Sequence, residues 1–160
     1  MPDYRLFLFD ADNTLRQTTV LDLPCPNGPE DWELASGVKE RLAQIDWNEC
    51  YYGIVSNQAG VGQGFITGEM AMRLLLDLAE AAFGQTPHAG MVLLCPHAED
   101  EGCLCRKPSP YMLKQVMRAC GCVPEETLFV GDMDTDQQAA LRAGCAFSWP
   151  WEFFGVEEPA

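Results

Sequence analysis

Basic residues are scarce. The 160-residue chain has 10 Lys and Arg against 24 Asp and Glu, a net charge of −14. So anionic a surface offers no counter-charge to nucleic acid or an anionic bilayer, and neither is expected as a partner. Histidine is scarcer still, with two residues. No apolar run approaches the roughly 20 residues of a membrane span. No charged-then-apolar leader opens the chain, so the expected location is the cytoplasm. Internal repeats and low-complexity segments are missing as well. The length suits a single domain over residues 1–160 that buries its own core, expected to act as a monomer.

Cysteine, by contrast, is plentiful, with eight residues. Without a leader, a secreted disulfide framework is not expected. Cys25, Cys50, Cys120, Cys122 and Cys145 read as reduced, mostly buried thiols. The others crowd together. Cys95-Pro96-His97 is followed by five residues and then Cys103-Leu104-Cys105. Three thiolates and one imidazole make a complete tetrahedral Zn²⁺ set with no position left open, which indicates a structural site. A disulfide between Cys103 and Cys105 would close a strained ring. His88 stands alone and reads as an ordinary histidine.

Short apolar runs alternate with amphipathic segments. Strands are expected near 4–9, 51–55, 91–94, 127–130 and 146–149. Helices are expected over 36–47 with Ser36 as N-cap, from Thr67 to Gly84, from Ser109-Pro110 to Gly121, and over 136–143. Met70, Leu74, Leu75 and Leu78 form the inner face of the second. Residues 11–32 read as a long irregular excursion, and Gly60–Gly64 as a loop. The tail from Pro150 packs back at its start and frays at its end. Alternation of this kind predicts an α/β fold: a Rossmann-like parallel sheet with helices on both faces and right-handed crossovers.

In such a sheet the carboxyl ends of the strands share one edge, where ligands bind. Four of these ends carry polar clusters: Asp10 and Asp12, then Ser56 and Asn57, then Arg106 and Lys107, and finally Asp132 and Asp136. Asp10, Asp12 and Asp132 would form a hard oxygen site suited to Mg²⁺. The Ser56 hydroxyl and Lys107 ammonium would hold phosphoryl oxygens. One Asp can attack while its neighbour moves the proton.

These motifs, Asp10-Ala11-Asp12-Asn13-Thr14-Leu15, Ser56-Asn57-Gln58, Cys105-Arg106-Lys107-Pro108 and Gly131-Asp132 with Asp136, resemble the haloacid-dehalogenase superfamily of Mg²⁺-dependent phosphatases. The zinc loop resembles that of its histidinol-phosphate and heptose-bisphosphate phosphatases, which lack a large cap domain. The resemblance implies that Asp10 attacks phosphorus and that Asp12 serves as acid and base. It implies Mg²⁺ on Asp10, Asp132 and the Asp12 carbonyl, supported by Asp136. Thr14, Asn57, Gln58 and Arg106 become the expected substrate contacts, with Ser56 and Lys107 among the catalytic groups. The zinc ligands Cys95, His97, Cys103 and Cys105 would pin Arg106 and Lys107 over the phosphate. Two positions depart from the pattern. Ala11 stands where Arg is usual, and Asn13 where Gly is usual, although Asn tolerates a left-handed backbone.

The expected activity is hydrolysis of a small phosphorylated metabolite, either a heptose-bisphosphate-like sugar phosphate or histidinol phosphate. The stretch Asn57–Gly62 inclines slightly to the sugar side. A polynucleotide 3′-phosphatase is disfavoured by the charge and by the lack of a basic, aromatic-bearing stripe. A catalytically silent, zinc-stabilised binding module would have no need of Asp10, Asp12, Lys107 and Asp132 together.

Overall fold

The structure, a computed structural model, describes residues 3–160. Its centre is β1 (Leu6–Phe9), flanked in parallel register by β4 (Tyr51–Asn57) and β6 (Thr127–Val130). Strands β5 (Val92–Cys95) and β7 (Ala146–Ser148) complete a five-stranded sheet of order β5-β4-β1-β6-β7. Every pairing in it is parallel.

Alternation along β1 sends side chains to two separate cores. Phe9 joins Leu75, Leu78 and Phe83 of α3 (Gly68–Phe83), Val38 and Leu42 of α1 (Val38–Leu42), and Phe154 of α6 (Pro150–Phe154). Leu6 and Leu8 face the other way, onto Leu113 and Val116 of α4 (Tyr111–Cys120) and Ala139 and Ala140 of α5 (Asp134–Ala143). Both faces are therefore dry, which accounts for a strand written as an unbroken apolar run. No helix among the described residues is long and apolar enough to cross a membrane.

Several expectations hold in detail. The Thr67 hydroxyl accepts a hydrogen bond from the Met70 amide at 3.1 Å, capping α3. Gly84, Gly121 and Gly144 take left-handed conformations just past their helices.

Others need correction. The first helix is short, Val38–Leu42, and follows Gly37 (φ 81°), so Ser36 is not its N-cap. It stops early because the Trp47 indole N–H donates to the Leu42 carbonyl at 3.0 Å and Asp46 accepts from the Asn48 amide at 2.9 Å. These local bonds compete with helix continuation. Met70 is only half-buried, and α3 turns Ala71 inward instead. Helix α4 starts at Tyr111, one residue past Pro110, with the Ser109 hydroxyl accepting from the Tyr111 amide. Helix α5 begins two residues early, at Asp134. The start of the tail packs back as expected, through the helical turn α6 with Pro150 and Phe154 buried.

The 11–32 stretch is not wholly irregular. It is bounded by a two-stranded antiparallel ribbon, β2 (Arg16–Thr18) with β3 (Trp32–Leu34), outside the main sheet. The glycine-rich loop holds a helical turn, α2 (Ala59–Gly62). All eight cysteines are free thiols, and of the five outside the zinc-like set only Cys122 is buried.

Candidate active site

Chain reversal after β1 is tight. Asn13 sits at φ 63°, and its amide donates to the Arg16 carbonyl at 2.8 Å. Asn is a residue that tolerates this region, so the turn survives without the expected glycine. The turn leaves Asp10 and Asp12 at the mouth of a cleft of about 520 Å³. Asn57, Lys107, Asp132 and Asp136 line the same cleft. Residues up to 126 positions apart thus meet because β4, β1 and β6 are neighbours and β5 lies at the adjoining edge.

Lys107 is the hub of the site. Its ammonium lies 2.8 Å from Asp10 Oδ1 and 2.7 Å from Asp136 Oδ1, and donates to the Val55 carbonyl at 3.0 Å. Those contacts take all three of its N–H donors. Burial alone would lower its pKa, but Asp10 and Asp136 outweigh this and raise it, so Lys107 is a fixed cation. Asn57 holds the backbone at this residue from both sides. Its Nδ2 donates to the Lys107 carbonyl at 3.2 Å, and its Oδ1 accepts from the Lys107 amide at 3.0 Å. Asp136 accepts on its other oxygen from the Met133 amide at 3.1 Å. A Cβ on residue 131 would lie 2.5 Å from that of Asp136, so Gly131 is what lets this carboxylate seat.

Asp10 has its pKa raised well above the ordinary carboxylate value. Burial is the chief cause, and the Asp136 and Asp132 charges add to it against the opposing pull of Lys107. Asp132 is raised as well, mainly by burial. The set carries more negative charge than Lys107 neutralises.

Oxygens of Asp10, Asp132 and Asp136 lie within 4.8 Å of one another, and Asp132 Oδ1 is buried with no hydrogen-bond partner. A buried acceptor left without a donor calls for one. A hard cation among three carboxylates supplies it, so the residues present fit Mg²⁺.

Asp12 is held differently. Arg16, the largest fully buried side chain, donates from Nε to Asp12 Oδ1 at 2.7 Å and from Nη2 to Oδ2 at 3.3 Å. Gln58 Nε2 donates to Asp12 Oδ2 at 3.0 Å and to Ser56 Oγ at 2.6 Å. The carboxylate is gripped from two sides. In sequence Arg16 is one residue of the 11–32 stretch expected to be irregular. Its spacing four residues past Asp12 was the available signal, but it acquires meaning only once the turn brings the two together.

The other expected residues divide. Ser56, Gln58 and Thr14 are buried and do not line the cleft, and the Thr14 hydroxyl has no partner. Arg106 lines an adjoining cleft together with Glu99 and Asn57. His88 is exposed, its ring edge-on to that of Tyr51 with centroids 5.6 Å apart.

Below this edge, Cys95, His97, Cys103 and Cys105 converge with ligand atoms within 4.8 Å. Cys95 Sγ lies 3.0 Å from Cys105 Sγ, 3.5 Å from Cys103 Sγ and 3.4 Å from His97 Nδ1. Burial pushes Cys95 up to about 12. At Cys103 desolvation pushes upward, but hydrogen bonds from the Arg106 backbone, Cys95 and Cys105 together outweigh it and draw the thiol down to about 7. A soft-donor set of this kind fits Zn²⁺. A Cβ on Gly62 would fall 2.7 Å from the Ala98 amide nitrogen and 2.9 Å from the Pro96 carbonyl, so α2 rests directly on this loop.

Comparison with known proteins agrees with the geometry. Over 152 residues the chain is 32% identical to the D-glycero-β-D-manno-heptose-1,7-bisphosphate 7-phosphatase of Bordetella bronchiseptica, covering 92% of this chain and 79% of that one. The chain belongs to the haloacid-dehalogenase-like hydrolases. Residues 104–149 match the HAD-hydrolase-like family model. A solved structure of the B. bronchiseptica heptose-bisphosphate phosphatase, complexed with magnesium and phosphate, superposes with a TM-score of 0.75 at 27% identity, covering 89% of this chain and 78% of that one. The histidine biosynthesis bifunctional protein HisB of Legionella pneumophila is 30% identical over 118 residues, 72% of this chain and 33% of that protein.

Proposed function

We propose that this protein is a Mg²⁺-dependent phosphatase of a small phosphorylated metabolite, working through an aspartyl phosphate and carrying a structural Zn²⁺. The observation that carries the reading is the cleft itself. Asp10 stands beside a second, independently held carboxylate, Asp12, and beside a cluster of carboxylates with an unsatisfied buried oxygen. Likeness to named phosphatases supports it.

Mg²⁺, held by Asp10 and Asp132, would neutralise the phosphoryl oxygens and draw them toward the nucleophile. Asp10 attacks phosphorus, the ester P–O bond breaks, and Asp12 gives its proton to the departing alkoxide. Water then attacks phosphorus, Asp12 takes its proton, and the P–O bond to Asp10 breaks to release phosphate. Lys107 keeps Asp10 and Asp136 in place, since its donors already point at them. Arg16 and Gln58 orient Asp12 without touching substrate, and Ser56 receives the other Gln58 hydrogen bond. Zn²⁺ on Cys95, His97, Cys103 and Cys105 would hold the loop leading into Arg106 and Lys107, lowering the entropy cost of placing them.

The test is phosphate release with Mg²⁺ from sugar phosphates, histidinol phosphate and a 3′-phosphorylated oligonucleotide, with Asp10→Asn run in parallel. Turnover of a small ester that disappears in the variant is expected. A folded, metal-loaded protein that hydrolyses none of them would overturn the reading.

A further inference from the structure

We infer that the thiol cluster is also a redox switch: hydrogen peroxide joins Cys95 to Cys105, the metal leaves, and the new bond pulls the supports of Asp10 and Asp12 out of place. The inference rests on the zinc and phosphatase readings and adds a means of turning the activity off.

Distance and access select the pair. Cys95 Sγ lies 3.0 Å from Cys105 Sγ and 3.5 Å from Cys103 Sγ. Cys95 is buried, whereas Cys105 is only half-buried. An oxidant therefore meets Cys105 first and finds Cys95 behind it as the resolving thiol.

The Cys105 sulfur attacks peroxide. An S–O bond forms, the O–O bond breaks, and one oxygen leaves as water. The Cys95 sulfur then attacks the Cys105 sulfur, the S–S bond forms, and the S–O bond breaks to release the second water. Each sulfur gives up one electron and the peroxide takes both. Since the sulfurs start as thiolates on the metal, solvent supplies the two protons that complete the waters. Only His97 and Cys103 then remain as donors, too few for a tetrahedral site, and Zn²⁺ departs.

The bond bears on both catalytic carboxylates. Cys95 ends β5, and its carbonyl accepts from the Gln58 amide at 2.8 Å. Gln58 is the residue that, with Arg16, grips Asp12. Cys105 stands two residues before Lys107, whose ammonium holds Asp10 and Asp136. The loop has little slack, because Asn57 grips the Lys107 main chain from both sides. Drawing two sulfurs from contact into a bond moves their chain segments by about 1 Å. A displacement of about 1 Å in an active site costs up to about 10²-fold in rate.

The protein loaded with Zn²⁺ and Mg²⁺ is treated with hydrogen peroxide. Turnover of p-nitrophenyl phosphate, zinc released to a chromophoric chelator, and cysteine pairing by peptide mass mapping are followed together. Turnover should fall by about 10²-fold in step with zinc release. A disulfide between Cys95 and Cys105 should appear, and dithiothreitol with Zn²⁺ should reverse all three changes. Cys25 lines the catalytic cleft and is the competing target. Cys25→Ser should lose the same fraction of its turnover to peroxide as the unaltered protein. Protection in that variant assigns the effect to the cleft thiol and overturns the inference. So does a disulfide between Cys95 and Cys105 that leaves turnover intact, zinc that stays bound while turnover falls, or pairing through Cys103 instead. A protein that binds no zinc overturns the zinc reading and this inference together. No turnover of any ester before oxidation overturns the phosphatase reading; the switch then stands or falls on zinc release and pairing, which are read without turnover.

Discussion

Two clusters in this protein are suited to metals, and they are built in opposite ways. The thiol–imidazole set comes from one loop, Cys95 to Cys105, and spends every donor on one point. The carboxylate set comes from two strand ends, Asp10 after β1 and Asp132 and Asp136 after β6, and is interleaved with Lys107 from the loop after β5. The first needs only a loop to close. The second exists only when the sheet has formed, and it keeps an unsatisfied oxygen facing a cleft. Closure suits stability, and an open side suits chemistry.

Asp10→Asn is the sharpest way to separate the two. Turnover should fall by at least ~10³-fold, as for removal of a nucleophile. Stability should move the other way in metal-free protein. The Asp10 pKa is raised in the fold, so the fold favours the neutral form, and the ionised carboxylate costs stability at neutral pH. Asn resembles the neutral form, and the metal-free melting temperature should rise. A fall would mean that the Lys107 contact outweighs the crowding of carboxylates.

Cys95→Ser should do the reverse. Bound zinc, measured by atomic emission, should drop out, and the melting temperature should fall by at least about 10 °C, given several kcal/mol of binding linked to folding. If zinc is lost and the melting temperature is unchanged, the loop cluster is not structural.

Arg16→Lys tests how Asp12 is held. Loss of the two-pronged grip should lower kcat on an alkyl phosphate by about 10–100-fold, because a poor leaving group needs a placed proton. On p-nitrophenyl phosphate, whose leaving group needs little protonation, the loss should be a few-fold at most. Equal losses on both esters would reduce Arg16 to a packing residue.

Gly62→Ala links the two regions through the contact between α2 and the zinc loop. The added methyl meets main chain, and overpacking of this sort costs about 1–3 kcal/mol, or roughly 2–12 °C. Zinc should dissociate faster from the variant. An unchanged melting temperature would mean that the loop yields freely. The smallest effect concerns Cys122 and Cys145, both pushed up to about 12 with burial as the main cause. Both should resist alkylation at pH 8 in the folded protein, and prompt labelling of either would show the helix ends opening.

The zinc-like set was legible as spacing alone, because four ligands in eleven residues define a site before any fold is known. The strand-end carboxylates were legible through the alternation of strands and helices, which puts their loops on one edge. Helix ends marked by Thr67, Gly84, Gly121 and Gly144 were legible because capping is local chemistry. The ribbon of β2 and β3 was not, since Arg16–Thr18 and Trp32–Leu34 are short and pair across a long loop. The short α1 was hidden by a Trp47 bond that competes with the helical pattern.

By itself, then, the sequence determined the layered sheet, the order of its elements and which residue types could do chemistry. These follow from periodicity, caps and spacing, which act over a few residues. Only the tertiary structure decided that Arg16 and Gln58 clamp Asp12 and that Lys107 spends all its donors on Asp10, Asp136 and Val55. Apart from Arg16 and Asp12, which a tight turn brings together, such contacts join residues distant in the chain, and a charge acquires its partners, its pKa and its role only when folding removes the water between them.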